Sequence, residues 1–217
     1  MQKKTTLLFD MDGTLIDTEF PYCRAMQAAC QDFGIDMTEE RYFEDYAGAT
    51  VADNWQRMEA YVGDIQLARK IIQQSDKVYQ DIIQKEGVPL KPHAKETLAS
   101  LEKRGYQLVI ASSSTRPVVM DMLARTRLDV YFSLLVTGDM ITHSKPHPEI
   151  FQKALELTAS RASDTVVIED SFQGVTAGYR AGIDTIMIPD YHQPTPEIAA
   201  CAVAVLPTLS ELLPLLP

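Results

Sequence analysis

The sequence predicts an α/β protein, in which a core built on a parallel sheet is interrupted by a helical domain. From about residue 88 onward, short apolar segments alternate with segments of helical spacing, and strands that are apolar throughout are typical of a parallel sheet covered on both faces. One more such segment, Thr5–Phe9, precedes a helical stretch. We therefore expect a core over 1–16 and 88–217 and a helical domain over 17–87.

The helical stretch is rich in Ala, Gln, Met, Glu and Tyr and contains no strong strand signal. Apolar side chains recur three or four residues apart, most clearly from Ile65 to Ile83, as on one face of a helix. This spacing predicts helices at about 20–33, 50–61 and 64–86, with hinges near 17–21 and 87–92.

The core elements follow in alternation along the chain. Helical spacing predicts helices at 93–104, 117–126, 148–158 and 172–181. Continuous apolar segments predict further strands at 107–111, 133–136, 165–168 and 185–188.

The overall charge excludes some partners. The 217 residues include 20 basic and 30 acidic side chains, for a net charge of −10. This balance argues against nucleic acid and against an anionic membrane surface. A small anionic substrate stays compatible with it, because a local site can oppose the global charge.

The cysteines and apolar segments predict a cytoplasmic protein. Three cysteines are too few, and odd in number, for a disulfide framework, and Cys23 and Cys30 fit a helix core. No apolar segment approaches the ~18 residues that a membrane helix needs, and Leu7–Phe9 is too short for a signal peptide. The oligomeric state stays open, and a monomer is compatible with the sequence.

Polar side chains follow the predicted strands, where function collects in parallel α/β sheets. Taken singly, each could be a turn former, a helix cap or a solvated surface group. Together they would converge on one crevice at the carboxyl edge of the sheet. These candidate site residues are Asp10, Asp12, Ser112, Lys145, Glu169 and Asp170.

The chemical properties of these groups complement one another. Four carboxylates in one place would repel, so that some would stay protonated unless a cation neutralised them. Hard oxygen ligands favour Mg²⁺, which usually works together with a phosphate. Lys145 supplies a positive charge and Ser112 a hydroxyl donor for phosphate oxygens. The set therefore predicts phosphoryl transfer.

The two aspartates after the first strand can take separate roles. Asp10, next to the strand, can act as a nucleophile that forms an aspartyl-phosphate. Asp12, two residues further, can protonate the leaving alkoxide and then activate water. Gly13 allows a sharp turn beside the ligand.

Four segments resemble the signature motifs of the haloacid dehalogenase (HAD) superfamily of phosphatases, in order and over essentially the whole chain. The first is the nine-residue segment Asp10–Thr18, and the second is Ser112 after a strand. The third is Lys145 in the segment Lys145–Phe151, and the fourth is Glu169–Gly174 with its continuation to Gly182.

The resemblance implies a Rossmann-like core with a helical cap inserted after the first motif, closing over the site and selecting the substrate. It implies Asp10 as the nucleophile and Asp12 as the general acid and base. It also implies that Ser112 and Lys145 bind the phosphate, assisted by backbone N–H groups near Asp12 and Ser113.

The resemblance further implies a Mg²⁺ site. Its ligands would be the carboxylate of Asp10, the backbone carbonyl of Asp12 and the carboxylate of Asp170, with Glu169 close by or ligating.

Within the superfamily the chain resembles most the branch of β-phosphoglucomutase and small sugar phosphatases. The dehalogenase branch lacks the second aspartate that is present here as Asp12, and the phosphonate-cleaving branch has a cap-loop lysine that 46–51 lacks. The mutase carries a histidine and an arginine where this chain has Tyr22 and, nearby, Val51. Both departures favour a phosphatase.

Three functions are compared on this basis. The favoured one is a Mg²⁺-dependent phosphatase that hydrolyses a small phosphomonoester, such as a sugar phosphate or a related metabolite. The alternative is a phosphohexomutase of the same fold. A receiver-like signalling module is opposed by Asp12, which would promote loss of the phosphoryl group, and by the helical insert.

Two further spacings are interpreted as structural. Gly174, Gly178 and Gly182 recur every four residues, and we expect close packing of a helix on the sheet rather than a phosphate loop. His143 and His147 have the spacing of zinc ligands on a helix, but the prolines at 146 and 148 make a helix, and hence a zinc site, unexpected there.

Overall fold

A computed structural model describes residues 4–48 and 51–216. The chain forms two compact units, Met1–Ile16 with Pro89–Pro217, called here the core unit, and Asp17–Val88, called the helical unit. These limits lie within one residue of the limits expected from the sequence. The roles of catalytic core and substrate-selecting cap stay predictions.

The core unit is built on a parallel sheet whose order is β3-β2-β1-β4-β5-β6 in the part of the chain that is described. Every neighbouring pair is parallel. The α/β class with a Rossmann-like parallel sheet is therefore confirmed. The strands are β1 Thr6–Phe9, β2 Gln107–Ser112, β3 Leu134–Thr137, β4 Thr165–Glu169, β5 Asp184–Met187 and β6 Ala204–Val205.

Strand β1 lies where the strand order reverses, with β2 on one side and β4 on the other. Phe9 at its end is level with Ile110 of β2 and Ile168 of β4. A crevice opens at such a reversal, outside the carboxyl ends of the strands. The residues that follow β1, β2 and β4 are thereby directed to one place.

The helical unit consists of four helices over its described residues. α1 packs on α2 and α4, and α3 packs on α4. Its core is apolar, and it buries both Cys23 and Cys30, as expected. The helices are α1 Glu19–Asp32, α2 Glu39–Asp45, α3 Val51–Val62 and α4 Ile65–Glu86.

Helix α2 is an element that the periodicity did not predict, because it has only 7 residues and buries one side chain, Tyr42. Its start carries a local signal nevertheless. The hydroxyl of Thr38 accepts a hydrogen bond from the backbone N–H of Arg41, and two glutamates occupy the first turn. This is the N-cap chemistry that begins many helices.

Helices of the core unit cover the sheet. α7 packs on β2 and β3, while α8 packs on β4 and β5. Side chains such as Leu8, Val109 and Val167 are fully buried beneath them. These helices are α5 Ala94–Lys103, α6 Arg116–Thr126, α7 Glu149–Thr158, α8 Phe172–Arg180, α9 Pro196–Ala199 and α10 Leu212–Leu215.

Two of the three glycines around α8 explain its close approach to the sheet. A Cβ at Gly174 would collide with the carboxylate of Glu169, and one at Gly178 would collide with the side chain of Thr185. This confirms the packing role predicted for these two. Gly182 differs: it has φ +71° and open space around it, so it supplies the left-handed turn after the helix.

No helix among the described residues combines the length and the apolar character needed to cross a membrane.

Candidate active site

The central contact of the site joins Lys145 to two carboxylates. Its Nζ lies 2.5 Å from Oδ1 of Asp10 and 2.7 Å from Oε1 of Glu169, and it donates to the carbonyl of Ala111 at 3.1 Å. The Lys145 side chain is only 6% exposed, so it is not a solvated surface group. The backbone of Asp10 is held by β4, because its N–H donates to the backbone carbonyl of Ile168 at 3.0 Å.

Glu169, the last residue of β4, is fully buried. Its Oε2 accepts from the backbone N–H groups of Asp170 and Ser171 and from the Ser171 hydroxyl, each at 2.9 Å. Since Oε1 is taken by Lys145, both oxygens are engaged. Glu169 therefore holds Lys145 and the loop after β4, and the expectation that it lies close to a metal ion or ligates it stays a prediction.

The second aspartate, Asp12, is held by serines at the carboxyl end of β2, where Ser112 is the last residue of the strand and Ser114 lies in the turn after it. Its Oδ2 accepts from the hydroxyl of Ser114 at 3.0 Å and, more weakly, from that of Ser112 at 3.5 Å. Ser112 in turn accepts from the N–H of Ser114 at 3.1 Å. Ser113, between these two serines, is exposed. A Cβ at position 138 would collide with the backbone carbonyl of Ser113, so Gly138 allows the loop after β2 to approach this closely. Ser114 and Gly138 were not predicted as site residues.

Asp170 lies against the turn that follows β1. The hydroxyl of Thr14 donates to its Oδ1 at 2.7 Å, and a Cβ at Gly13, where φ is +85°, would collide with its Oδ2. Asp190, after β5, approaches the same point and pairs with Lys91 at 2.5 Å. Thr14, Lys91 and Asp190 extend the site beyond the predicted residues; Thr14 lies within the first motif and Asp190 follows a strand, whereas Lys91 had neither signal.

Burial and mutual repulsion disfavour the ionised state of these acids. Burial raises the pKa of Asp10 to about 7; Lys145 opposes the shift, and Glu169 and Asp12 add to it. The pKa of Asp170 is raised well above its usual value by burial and then by Glu169 and Asp10. Burial lowers the pKa of Lys145, but the two carboxylates outweigh it and raise that pKa overall.

The donor set fits a hard divalent cation. Asp10, Asp12 and Asp170 offer oxygen atoms alone, which suit Mg²⁺. The carboxylates outnumber the single ammonium of Lys145, and the raised pKa values of Asp10 and Asp170 reflect a concentration of negative charge that a cation would neutralise. We call Asp10, Asp12, Glu169 and Asp170 the carboxylate cluster.

The fold and this site define the class of protein: an α/β enzyme with a carboxylate cluster and a buried lysine at the switch point of a parallel sheet. Residues 7–188 match the model of the haloacid dehalogenase-like hydrolase family. The chain belongs to that family, and it is an enzyme, a phosphatase of the HAD type.

Individual relatives agree with this family. The chain is 26% identical over 183 residues to pyrophosphatase PpaX of Oceanobacillus iheyensis, across 84% of this chain and 82% of the relative. It is 27% identical over 185 residues to a phosphorylated carbohydrates phosphatase of Thermotoga maritima, across 83% and 82%. A solved structure from Haemophilus somnus 129pt, a predicted phosphoglycolate phosphatase, shares the fold with a TM-score of 0.85 at 20% identity, covering 100% of both chains.

Proposed function

We propose that this enzyme hydrolyses phosphomonoesters of small metabolites, with Asp10 as the nucleophile. The observation that carries the proposal is the contact of one buried ammonium, that of Lys145, with both Asp10 and Glu169 at the ends of the two central strands. Lys145 orients the attacking carboxylate and adds positive charge where a phosphoryl group would develop negative charge. Glu169 keeps Lys145 in place.

The cofactor proposed is Mg²⁺, held by the carboxylates of Asp10 and Asp170 and by the backbone carbonyl of Asp12. When bound, the ion would neutralise the cluster and the phosphate oxygens. Thr14 supports this role, because its hydroxyl fixes one oxygen of Asp170.

The first step transfers the phosphoryl group to the protein. A carboxylate oxygen of Asp10 attacks phosphorus, the bond from phosphorus to the ester oxygen breaks, and Asp12 gives its proton to the departing alkoxide. Ser114 holds Asp12 for this transfer at 3.0 Å. The Ser112 hydroxyl and the Ser113 backbone N–H are the proposed donors to the phosphate oxygens.

The second step restores the enzyme. The Asp12 carboxylate takes a proton from water while the water oxygen attacks phosphorus. The bond between phosphorus and Asp10 breaks, inorganic phosphate leaves, and both aspartates return to their starting state.

Sugar and related metabolite phosphates are the proposed substrates. The Thermotoga maritima relative, whose name specifies phosphorylated carbohydrates, supports this class. Hydrolysis is favoured over mutase chemistry because Tyr22 stands at the mutase histidine position and donates its hydroxyl to Asp76 at 2.8 Å within the helical unit. The loop 46–51, which lacks the cationic residues of the other branches, includes residues 49 and 50, outside the described residues, so that part of the comparison stays a sequence prediction.

The proposed setting is the cytoplasm, with neither nucleic acid nor a membrane as a partner. Free cysteines at 23, 30 and 201 are compatible with a reducing compartment.

Phosphate release from a panel of substrates tests the proposal. We expect release from p-nitrophenyl phosphate and from sugar phosphates, dependent on Mg²⁺ and abolished by EDTA. The panel also includes polyol, nucleotide and glycolate phosphates. Inorganic pyrophosphate is added because the relative PpaX is named a pyrophosphatase. Undiminished phosphate release in EDTA would contradict the proposed dependence on Mg²⁺. A preference for pyrophosphate over every monoester would contradict the proposal that phosphomonoesters are the substrates.

A ³¹P NMR experiment separates hydrolysis from isomerisation. Enzyme, Mg²⁺, β-glucose 1-phosphate and a trace of the 1,6-bisphosphate should yield inorganic phosphate with little glucose 6-phosphate. Accumulation of glucose 6-phosphate without matching phosphate would instead establish the mutase.

A further inference from the structure

A second group of metal-ligating side chains lies in the loop between β3 and α7. Nδ1 of His143 is 2.8 Å from Oε2 of Glu149, and Nδ1 of His147 is 3.8 Å from the same oxygen. The two imidazole rings have their centroids 4.6 Å apart. One ligand atom from each of these three residues lies within 4.8 Å of the other two.

The loop brings these side chains together without a helix between the histidines. Residues 143–148 are not helical, as the prolines predicted, and α7 begins only at Glu149. The Glu149 carboxylate is held by the backbone N–H groups of Thr142 and His143, at 2.8 and 2.9 Å. It thus forms a fixed point for Nδ1 of His143, while Nδ1 of His147 accepts from the backbone N–H of Glu149 at 3.3 Å. A helix is therefore not required to bring the two histidines and Glu149 together.

We propose that His143, His147 and Glu149 bind a divalent transition-metal ion of the zinc class, at a site distinct from the carboxylate cluster. Two imidazole nitrogens and one carboxylate oxygen are the protein ligands typical of zinc sites that keep a fourth position for water. With metal–ligand bonds of about 2.0–2.1 Å, neighbouring ligand atoms of a tetrahedral site lie roughly 3.3 Å apart. The imidazole nitrogens lie 2.8 and 3.8 Å from the carboxylate oxygen, and the three ligand atoms lie within 4.8 Å of one another, so side-chain rotations would bring them to that spacing.

The accessibility of the group supports an ion that enters from solvent. The His143 and His147 side chains are 63% and 49% exposed, so their rings can turn toward an ion without repacking a core. The site would also discriminate between metals. Imidazole nitrogen suits Zn²⁺, Ni²⁺ and Cu²⁺, whereas Mg²⁺ demands oxygen ligands, as the carboxylate cluster supplies. This inference does not depend on the proposed reaction.

An NMR titration of the untagged, full-length wild-type chain with Zn²⁺ tests the proposal. Excess Mg²⁺ is present throughout, to compete at the carboxylate cluster. We expect the imidazole resonances of His143 and His147 to shift or broaden with one equivalent of Zn²⁺, while those of His93 and His192 stay in place. This arm needs no variant, so a folding defect cannot confuse it. Unchanged His143 and His147 resonances at saturating Zn²⁺ would overturn the proposal.

Calorimetric titration of variants with Zn²⁺ is a second test of the proposed site. His143→Ala and His147→Ala should each weaken Zn²⁺ binding by about tenfold or more, the scale on which even outer-shell changes act at zinc sites. His192→Ala, at another exposed histidine, is the matched control and should bind as the wild type does. Wild-type affinity in both loop variants, or loss of binding in Asp170→Asn alone, would assign the ion to the carboxylate cluster and overturn the proposal.

Discussion

Carboxylates take part in polar networks in both units of the molecule, but their charges are balanced differently. In the core unit, Asp10 and Glu169 share the single ammonium of Lys145, and these two carboxylates add to the burial that raises the pKa of Asp170. In the helical unit, Glu19 accepts from the hydroxyl of Tyr42 at 2.7 Å and from the N–H of Gly48 at 2.9 Å.

Both burial and charge balance distinguish the two networks: Glu169 is fully buried, whereas Glu19 is half-buried. The hydroxyl of Tyr42 and the N–H of Gly48 are neutral donors to the Glu19 carboxylate, and these hydrogen bonds stabilise the helical unit. The carboxylate cluster carries more negative charge than Lys145 neutralises, and such an excess is costly unless a cation joins it. Substitutions in either network should therefore differ in their effects on turnover and on the response to Mg²⁺.

Asp10→Asn should have the largest effect, because it removes the nucleophile and leaves its shape intact. We expect turnover to fall by about 10⁴-fold or more, as in other enzymes that lose a nucleophile. Steady-state phosphate release from a sugar phosphate measures it. Asp121→Asn, at an exposed aspartate paired with Arg125 on α6, is the matched control and should keep wild-type turnover. Near-normal activity of Asp10→Asn would remove the residue from the reaction.

Asp12→Asn should slow the enzyme by about 10²–10⁴-fold on alkyl phosphates, since general acid–base catalysis is lost. A p-nitrophenolate leaving group needs little protonation, so the burst of phenolate from p-nitrophenyl phosphate should suffer less than steady-state turnover. Stopped-flow and steady-state kinetics measure both. Equal losses in the burst and in the steady state, or wild-type rates on alkyl phosphates, would argue against the acid–base role.

Asp170→Asn should make the metal-free protein more stable. The folded pKa of Asp170 is raised above its ordinary value of 3.8, so the folded state holds the proton more tightly than the unfolded one. Stability therefore falls as pH rises from about 3.8 through the folded pKa, so that Asp170 costs stability once the pH is above 3.8.

Removing that charge should raise the melting temperature in EDTA, on a scale of about 2–4 °C per kcal/mol for a chain of this size. The same variant should lose most of the stabilisation that Mg²⁺ gives the wild type. Thermal unfolding at pH 7.5 with EDTA or with Mg²⁺ measures both effects. If Asp170→Asn instead melts below the wild type in EDTA and is stabilised by Mg²⁺ as much as the wild type, the Asp170 carboxylate does not contribute the excess negative charge of the cluster.

Tyr42→Phe tests the balanced network and should leave the metal response unchanged. Loss of the hydroxyl removes one donor from a charged acceptor, which costs about 1–3 kcal/mol of unfolding free energy. Urea unfolding with and without Mg²⁺ measures this cost, with Tyr179→Phe, at an exposed tyrosine, as the control. A change in Mg²⁺ stabilisation in Tyr42→Phe would break the contrast between the two networks.

The sequence was informative where strand ends and residue type coincide. Parallel strands bring their carboxyl ends to one edge, so the positions of Asp10, Ser112 and Glu169 after apolar segments were sufficient to predict that they would converge. Lys91 lacked this signal, because it follows no strand of the sheet and meets Asp190 from 99 residues away. Ser114 was missed because its contact with Asp12 depends on the turn after β2.

The loop 143–148 shows a case in which the spacing of residues in the sequence did not predict which side chains come together. His143 and His147 were judged by helical spacing, whereas their proximity depends on the loop and on Glu149, whose carboxylate is anchored by backbone N–H groups. Helix α2 was likewise missed because a short, mostly exposed helix has little hydrophobic periodicity.

Chemical trapping of the phosphorylated enzyme tests the central claim most directly. Asp12→Asn, which should hydrolyse the intermediate slowly, is mixed with Mg²⁺ and p-nitrophenyl phosphate and quenched with borohydride, which reduces an acyl phosphate to the alcohol. Peptide mass spectrometry then reads position 10. We predict homoserine at that position, dependent on both substrate and Mg²⁺. An unmodified Asp10, while phenolate is still released in a burst, would contradict the account.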